Sequence, residues 1–135
     1  MGYYQGRLLD HVHLRVADVE VSKRFYQAVL EALDLAGAYG EGDGYFYADE
    51  LYVDRADSQV SHVHLAFQAN SKNAVHQFFE AALKAGGRDN GAPGLRSYHS
   101  AYYAAFVFDP DGNNIEAVWQ GPIVRSVESV FIERK

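Results

Sequence analysis

The chain has 135 residues, which is enough for one domain with a proper hydrophobic core and too few for two conventional domains. Hydrophobic residues make up 48% and charged residues 22%, a balance typical of globular proteins and not of disordered ones. The formal net charge of -6, with no block of Lys or Arg, argues against a nucleic-acid partner. The absence of cysteine excludes disulfides and thiolate metal sites.

The N-terminus and the lack of any long apolar segment lead us to expect a cytoplasmic protein. The opening MGYYQGRLLDH lacks the apolar stretch of a signal peptide, and no segment approaches the length needed to span a membrane. We expect a single domain over residues 1–120 and a C-terminal extension over residues 121–135. Within this extension, VESVFIE is expected to add an edge strand or to cover a dimer contact.

The first half of the chain predicts a strand, a helix and two further strands. LDHVHLRV alternates polar with apolar residues, as a half-buried strand does. Asp18 can cap a helix in which Val, Phe or Leu recurs every fourth residue from Val21 to Leu33. We expect the helix to stop at Gly37 and Gly40. After a glycine-containing loop, the aromatic runs YFYA and LYVD predict two short strands.

The second half repeats this order. SHVHLAFQ has the strand alternation again, and Ser71 can cap a helix through NAVHQFFEAALKAGG that ends at Gly86. RDNGAPGLRS is expected to be a loop, and AYYAAFVF a strand. The turn DPDG then leads to a last strand, NNIEAVW.

The two halves align with a shift of 53 residues, which places His64 on His11 and Phe78 on Phe25. The matched residues include core positions of strand and helix, so we interpret the chain as two copies of one supersecondary unit. Module one covers about residues 8–57 and module two about residues 60–119. Since neither unit can bury its sheet alone, the two sheets should pair and leave a curved cleft.

Four histidines and one glutamate predict a metal site in that cleft. His11 and His13 share one strand face, His62 and His64 share the equivalent face, and Glu116 lies on an otherwise apolar strand. A lone strand histidine is usually packed or exposed, but two imidazoles and a carboxylate suit Fe, Mn, Ni or Zn and leave positions for substrate. The repeat aligns His11 with His64. His13 and His62 then become proton carriers, neighbours of the ligands, or simple cleft lining.

HVHLRVADVEVSKRFY, SHVHLAF and DPDGNNIEAV resemble signatures of the glyoxalase, bleomycin-resistance and extradiol dioxygenase superfamily, also called vicinal oxygen chelate proteins. The resemblance implies an α+β fold in which two βαβββ modules form an open mixed-sheet barrel. It implies His11, His64 and Glu116 as metal ligands. The fourth ligand position of some relatives falls near Tyr52, and a shifted register would place Glu50 there instead.

The resemblance also implies the activity: a metal-dependent lyase, isomerase or dioxygenase that chelates a small oxygenated organic substrate to a divalent ion through two oxygens. A homodimer is expected, in which His11 can join His64 and Glu116 within one chain or across subunits. Arg96 is a candidate for holding an anionic group. Cleft residues that can carry a proton are His13, His62, His99, Tyr102 and Tyr103.

Two alternatives remain open. One is a transferase that confers antibiotic resistance, although the acidic chain shows no clear basic pocket for a phosphonate. The other is a metal-free protein that binds or sequesters a small molecule in an aromatic groove between subunits, which the ten Tyr and eight Phe favour. Retention of two histidines and the glutamate favours the enzyme.

Overall fold

Each half of the chain folds into one helix and one four-stranded mixed sheet in a computed structural model that describes residues 1–135. Module one consists of β1 (Val12–Val16), α1 (Val19–Ala32), β2 (Tyr39–Gly42), β3 (Tyr45–Ala48) and β4 (Leu51–Arg55). Module two consists of β5 (His64–Gln68), α2 (Lys72–Lys84), β6 (Arg88–Leu95), β7 (Tyr103–Phe108) and β8 (Asn114–Trp119).

The strand order is the same in both modules. It is β1-β4-β3-β2 in sheet one and β5-β8-β7-β6 in sheet two. The first strand of each module pairs in parallel with the last, and the other pairs are antiparallel. The expected α+β fold of two βαβββ modules is therefore confirmed. The two sheets remain separate and do not close into a barrel.

The modules meet through their helices and share one hydrophobic core. Leu14 of β1, Phe25 of α1, Phe78 of α2 and Ile115 of β8 are fully buried in this core. Strand residues alternate between the two faces of each sheet. We call the side turned away from the helices the far face; it carries His13 in sheet one and Glu116 in sheet two. The far faces thus lie on the opposite side of each sheet from the shared core.

The helix starts agree with the sequence, but the end of α1 does not. Asp18 accepts a hydrogen bond from the backbone of Val21 at 3.1 Å, as expected of a cap. The helix ends at Ala32, before Gly37, because Asp34 adopts a left-handed backbone with φ of 58°. A polar residue with an intrinsic tolerance for this conformation therefore replaces the glycine that we expected.

Three further expectations about elements were wrong. The expected loop RDNGAPGLRS contains β6, an irregular edge strand in which proline is tolerated since one side of the strand has no partner. β5 begins only at His64, so His62 precedes the strand. The extension 121–135 forms no strand, so the edge strand that we considered for VESVFIE is wrong, while its role at a dimer contact stays a prediction. Neither helix combines the length and the apolar character that crossing a membrane requires.

The strand pairing shows which residues of the two modules are equivalent. Glu116 of β8 is the cross-strand partner of Ala66 in β5, and His13 of β1 is the partner of Tyr52 in β4. Ala66 corresponds to His13 in the repeat, since the two differ by 53 positions. Tyr52 therefore occupies in module one the place that Glu116 occupies in module two.

The DPDG turn before β8 is held by the side chain of Asp109, which is only 1% exposed. One of its oxygens accepts hydrogen bonds from the backbone of Asn113 and Asp111, and the other accepts from the Tyr26 hydroxyl and the Asn113 amide. The Asn113 side chain in turn accepts from the backbone of Val63 at 2.9 Å. This network agrees with a purely structural role for the motif.

Candidate functional site

The far face of sheet two brings His64 and Glu116 together. β5 and β8 are parallel neighbours, and His64 Nε2 lies 2.8 Å from Glu116 Oε1. The Glu116 side chain is 2% exposed whereas that of His64 is 52% exposed, so the imidazole lies between the buried carboxylate and solvent. The His64 ring packs against Phe106, with centroids 5.9 Å apart. Two of the three predicted ligands are thus adjacent.

Tyr102 supplies the second partner of the buried carboxylate. Its hydroxyl donates a hydrogen bond to Glu116 Oε2, so both carboxylate oxygens have a partner. Burial raises the pKa of the Tyr102 phenol above its ordinary value, and the hydrogen bond to Glu116 raises it further. The hydroxyl therefore remains a donor at neutral pH and holds the carboxylate in place.

Tyr103, which we had placed among the cleft residues, lies on the other side of the sheet. Its hydroxyl is 2.6 Å from His76 Nε2 on α2, and its ring packs against the shared core. Strand alternation explains the difference, because Tyr103 has the same parity as the core residues Ala105 and Val107. The same rule, applied strictly to the sequence, would have kept Tyr102 among the cleft residues and excluded Tyr103.

The structure does not bring His11 to this pair. His11 is exposed, immediately precedes β1, and lies 2.6 Å from Asp10 through its Nδ1. No three His, Cys, Asp or Glu side chains of the chain lie close enough together to hold a metal ion. Since His11 is in module one and the far faces point away from the shared core, one chain supplies only part of the predicted ligand set.

His13 is held on the far face of sheet one by an acidic partner. Its Nε2 lies 2.7 Å from Asp54 Oδ1, the same oxygen that Arg15 Nε approaches at 2.8 Å. The His13 ring meets the edge of Tyr52, with centroids 5.1 Å apart. Asp54 therefore orients the imidazole, as a carboxylate does for a histidine that carries protons.

An aromatic surface extends this face toward β2. Tyr45 stacks on Tyr52 at 5.9 Å between ring centroids, with the planes 19° apart. Tyr45 and Tyr47 are cross-strand partners of Gly42 and Gly40. A Cβ at Gly42 would lie 2.5 Å from the Tyr45 ring, and one at Gly40 would lie 2.4 Å from the Tyr47 hydroxyl. Both tyrosine side chains therefore pass directly over a glycine, which explains why β2 contains residues that predicted a loop.

The remaining candidates lie at the margins. His62 is exposed ahead of β5. His99 is in the turn before β7; its Nε2 is 3.0 Å from Gln120 Oε1, and its ring meets the edge of Tyr102. Arg96 donates to the carbonyls of Ala92 and Gly94, and its guanidinium lies over the Phe106 ring. Arg96 therefore fastens β6 onto the sheet, which opposes the anion-holding role that we expected.

Comparison with known proteins identifies the family. The model of the Glyoxalase/Bleomycin resistance protein/Dioxygenase superfamily matches residues 8–117. The chain belongs to this superfamily. A glyoxalase/bleomycin resistance protein from Albidiferax ferrireducens T118 is 29% identical, with a TM-score of 0.70, covering 82% of this chain and 97% of that one. No curated protein matches the chain in sequence.

Two further superfamily structures share the fold. A glyoxalase-related enzyme from Fulvimarina pelagi is 18% identical, with a TM-score of 0.69 over 94% of this chain and 99% of that chain. The V278E mutant of glyoxalase I from Zea mays is 25% identical, with a TM-score of 0.56. This match covers 80% of the present chain but only 44% of the maize protein.

The His64 and Glu116 pair fits the divalent metal that is expected in this superfamily. Two donor atoms that each lie about 2.1 Å from one ion, with a donor–ion–donor angle of about 90°, are about 3 Å apart. His64 Nε2 and Glu116 Oε1 are 2.8 Å apart, the length of an ordinary hydrogen bond, so an ion could replace the shared proton after only a small movement of the two side chains. A buried carboxylate next to a solvent-facing imidazole also leaves room for further ligands on the solvent side. The pair is therefore a suitable half of a metal site.

Proposed function

We propose that this superfamily member is a metal-dependent enzyme that acts on a small oxygenated organic substrate. The observation that carries the proposal is the pairing of His64 with the almost fully buried Glu116 on one sheet face. Hydrogen bonds with Tyr102 and His64 offset the cost of burying this carboxylate, and the imidazole and the carboxylate together are donors that suit a divalent ion. Fe, Mn, Ni and Zn all suit these donors.

The third ligand in this proposal is His11 of a second copy. Within one chain no second sheet faces His13 in module one or His64 in module two, and a symmetric dimer can place these two far faces against each other. Such a dimer has two identical sites, each with His64 and Glu116 from one chain and His11 from the other. We place this homodimer in the cytoplasm.

The residues around the site have distinct roles in this mechanism. When bound, the metal polarises the substrate oxygens as a Lewis acid. Glu116 supplies negative charge that Tyr102 holds in one orientation. His13 follows His11 by two residues and therefore reaches the same cleft, where its Nδ1 can accept or return a proton while Asp54 holds Nε2. His99 is the second candidate for proton transfer, through its contact with Tyr102.

Metal content tests the proposal directly. Protein purified without chelator should contain about one divalent ion per chain by mass spectrometry, and His64→Ala and Glu116→Ala should each remove it. His76→Ala, which alters a histidine on the helix side of sheet two, is the matched control and should retain the ion. A wild-type protein with no affinity for any of the four metals would refute the enzyme hypothesis.

One observation favours the second candidate, a metal-free binding protein. Tyr45, Tyr47 and Tyr52 share the far face of sheet one, where Tyr45 stacks on Tyr52, and together they form an aromatic surface of the kind that binds planar organic molecules. The metal analysis separates the two functions. If iron is bound, oxygen consumption with a catechol would favour a dioxygenase over a lyase or isomerase.

A further inference from the structure

A cavity of about 600 Å³ borders the Glu116 site. Its floor is the outer part of sheet two, where Ala66 and Gln68 of β5 and Val118 of β8 face it, and Tyr102 lines it beside them. The hydroxyl of Tyr102 bonds Glu116, so a molecule in the cavity lies one side chain away from the carboxylate. The volume is in the range of cavities that bind small organic ligands.

The two ends of the chain form the opposite wall. Tyr3 and Gln5 line the cavity from the N-terminal side, and Ile123 and Arg125 from the C-terminal side. All four residues lie outside the segment 8–117 that the superfamily model matches. This wall is therefore built from residues outside the segment that the superfamily model describes.

Gly121 directs the C-terminal segment onto the cavity. It has φ of +88°, a conformation that disfavours other residues, and a Cβ there would lie 2.9 Å from the Cβ of Ala101. Gly121 is also buried. Because backbone conformation and space both require glycine, the direction in which the chain leaves β8 is specified by the sequence.

The lining favours an uncharged ligand with a planar portion, because the aromatic rings of Tyr3, Tyr102 and Trp119 line the cavity. Arg125 is the single cation among the lining residues, and it is opposed by Asp34 and Glu128. The cavity therefore offers no net attraction to an anion, in a chain whose net charge is -6. Carboxamides, among them Gln5 and Gln68, can both donate to and accept from hydroxyl groups.

We propose that this cavity binds the substrate of the enzyme, an uncharged, hydroxyl-bearing organic molecule with a planar apolar portion, and that the terminal segments select it. The inference rests on the proposed function for its assignment as a substrate site. The floor presents the ligand toward Tyr102 and Glu116, while the terminal segments exclude water and limit the size of what enters.

Trp119 provides the measurement, since it is the single tryptophan of the chain and lines the cavity. The full-length protein, freed of metal by chelator, is titrated with resorcinol while Trp119 fluorescence is recorded. Resorcinol is uncharged and planar, and its hydroxyls are too far apart to chelate a metal, so its binding does not depend on the ion. We expect saturable quenching by resorcinol and binding of benzoate, a planar anion, that is about tenfold weaker.

A matched pair of tail variants tests the wall. Ile123→Asp alters a lining residue and should weaken resorcinol binding about fivefold. Ile132→Asp makes the same change at a residue that is 82% exposed and does not line the cavity, and should leave binding unchanged. Thermal unfolding of both variants verifies that they fold.

The inference is overturned if resorcinol does not quench saturably, if benzoate binds as tightly, or if both variants behave alike. Titration of the same metal-free samples with Mn and Zn tests the proposed function separately. Metal binding without resorcinol binding would refute the cavity alone, whereas resorcinol binding without metal binding would refute the metal-dependent enzyme alone.

Discussion

Replacing Tyr102 by Phe removes one hydroxyl from the site and leaves the ring in place. Glu116 Oε2 then loses its hydrogen-bond donor within the protein, while the carboxylate remains 2% exposed. A buried charged acceptor left without a partner costs about 2 kcal/mol of unfolding free energy. For a domain of this size the melting temperature should fall by about 5 to 8 °C.

The same substitution should weaken metal binding. The carboxylate is free to rotate away from His64 once its second oxygen is released, and loss of a residue that orients a metal ligand lowers affinity about 10- to 100-fold. Isothermal titration of metal-free protein with Mn or Zn measures this change without reference to activity. Phe has no hydroxyl group to donate, and the site is packed, so phenol added to the variant should not restore metal binding.

Tyr103→Phe is the control for both measurements. Tyr103 is the next residue in the sequence, but its hydroxyl forms a hydrogen bond with the exposed His76 on the helix side of the sheet. Its loss should cost about 0.5 to 1 kcal/mol and leave metal affinity unchanged. Equal effects of the two substitutions on metal affinity would refute the role assigned to the Tyr102 hydroxyl.

Three further outcomes are expected. In a dimer that shares its sites, His11→Ala should lower metal affinity about 100-fold without lowering the melting temperature, because His11 is exposed in one chain; unchanged affinity would place the third ligand elsewhere. Asp109→Ala should destabilise the fold by about 3 kcal/mol in urea unfolding, since the backbone donors of the turn and the Tyr26 hydroxyl lose their acceptor; a loss below about 1 kcal/mol would contradict this. Burial raises the pKa of both Tyr102 and Tyr39. The stability that these two phenols contribute is therefore fully present below about pH 10, the ordinary phenol value, and is lost as the pH rises above it toward the pKa values of the folded state. Tyr102→Phe should therefore make this alkaline loss shallower, and an identical slope in the variant would argue against it.

Much of the fold follows from local patterns. Alternation of polar and apolar residues located β1 and β5, and the caps at Asp18 and Ser71 located both helix starts. β2 and β6 were missed because their glycines and proline have poor intrinsic strand propensity. These strands exist because of their neighbours: Gly40 and Gly42 receive tyrosine rings from β3, a tertiary contact that no local window contains.

The site was predictable to the extent that it lies within one sheet. His64 and Glu116 follow from alternation on two strands, and the internal repeat selected His64 over His62. Whether His11 joins this pair, as we propose, depends on which far faces meet in a dimer. Alternation and repeats describe each module separately and contain nothing about how modules associate, so the sequence left open whether the ligands come from one chain or two.

The two glycines beneath the tyrosine rings also affect how this surface can change. Because Gly40 and Gly42 place no side chain under Tyr47 and Tyr45, the two rings lie directly on the backbone of β2. Exchanging Tyr for Phe there alters hydrogen bonding without moving the main chain, whereas any side chain added to either glycine lifts a ring off the sheet. Substitutions at the tyrosine positions can therefore change which ligands this surface binds, whereas the two glycines of β2 do not tolerate replacement.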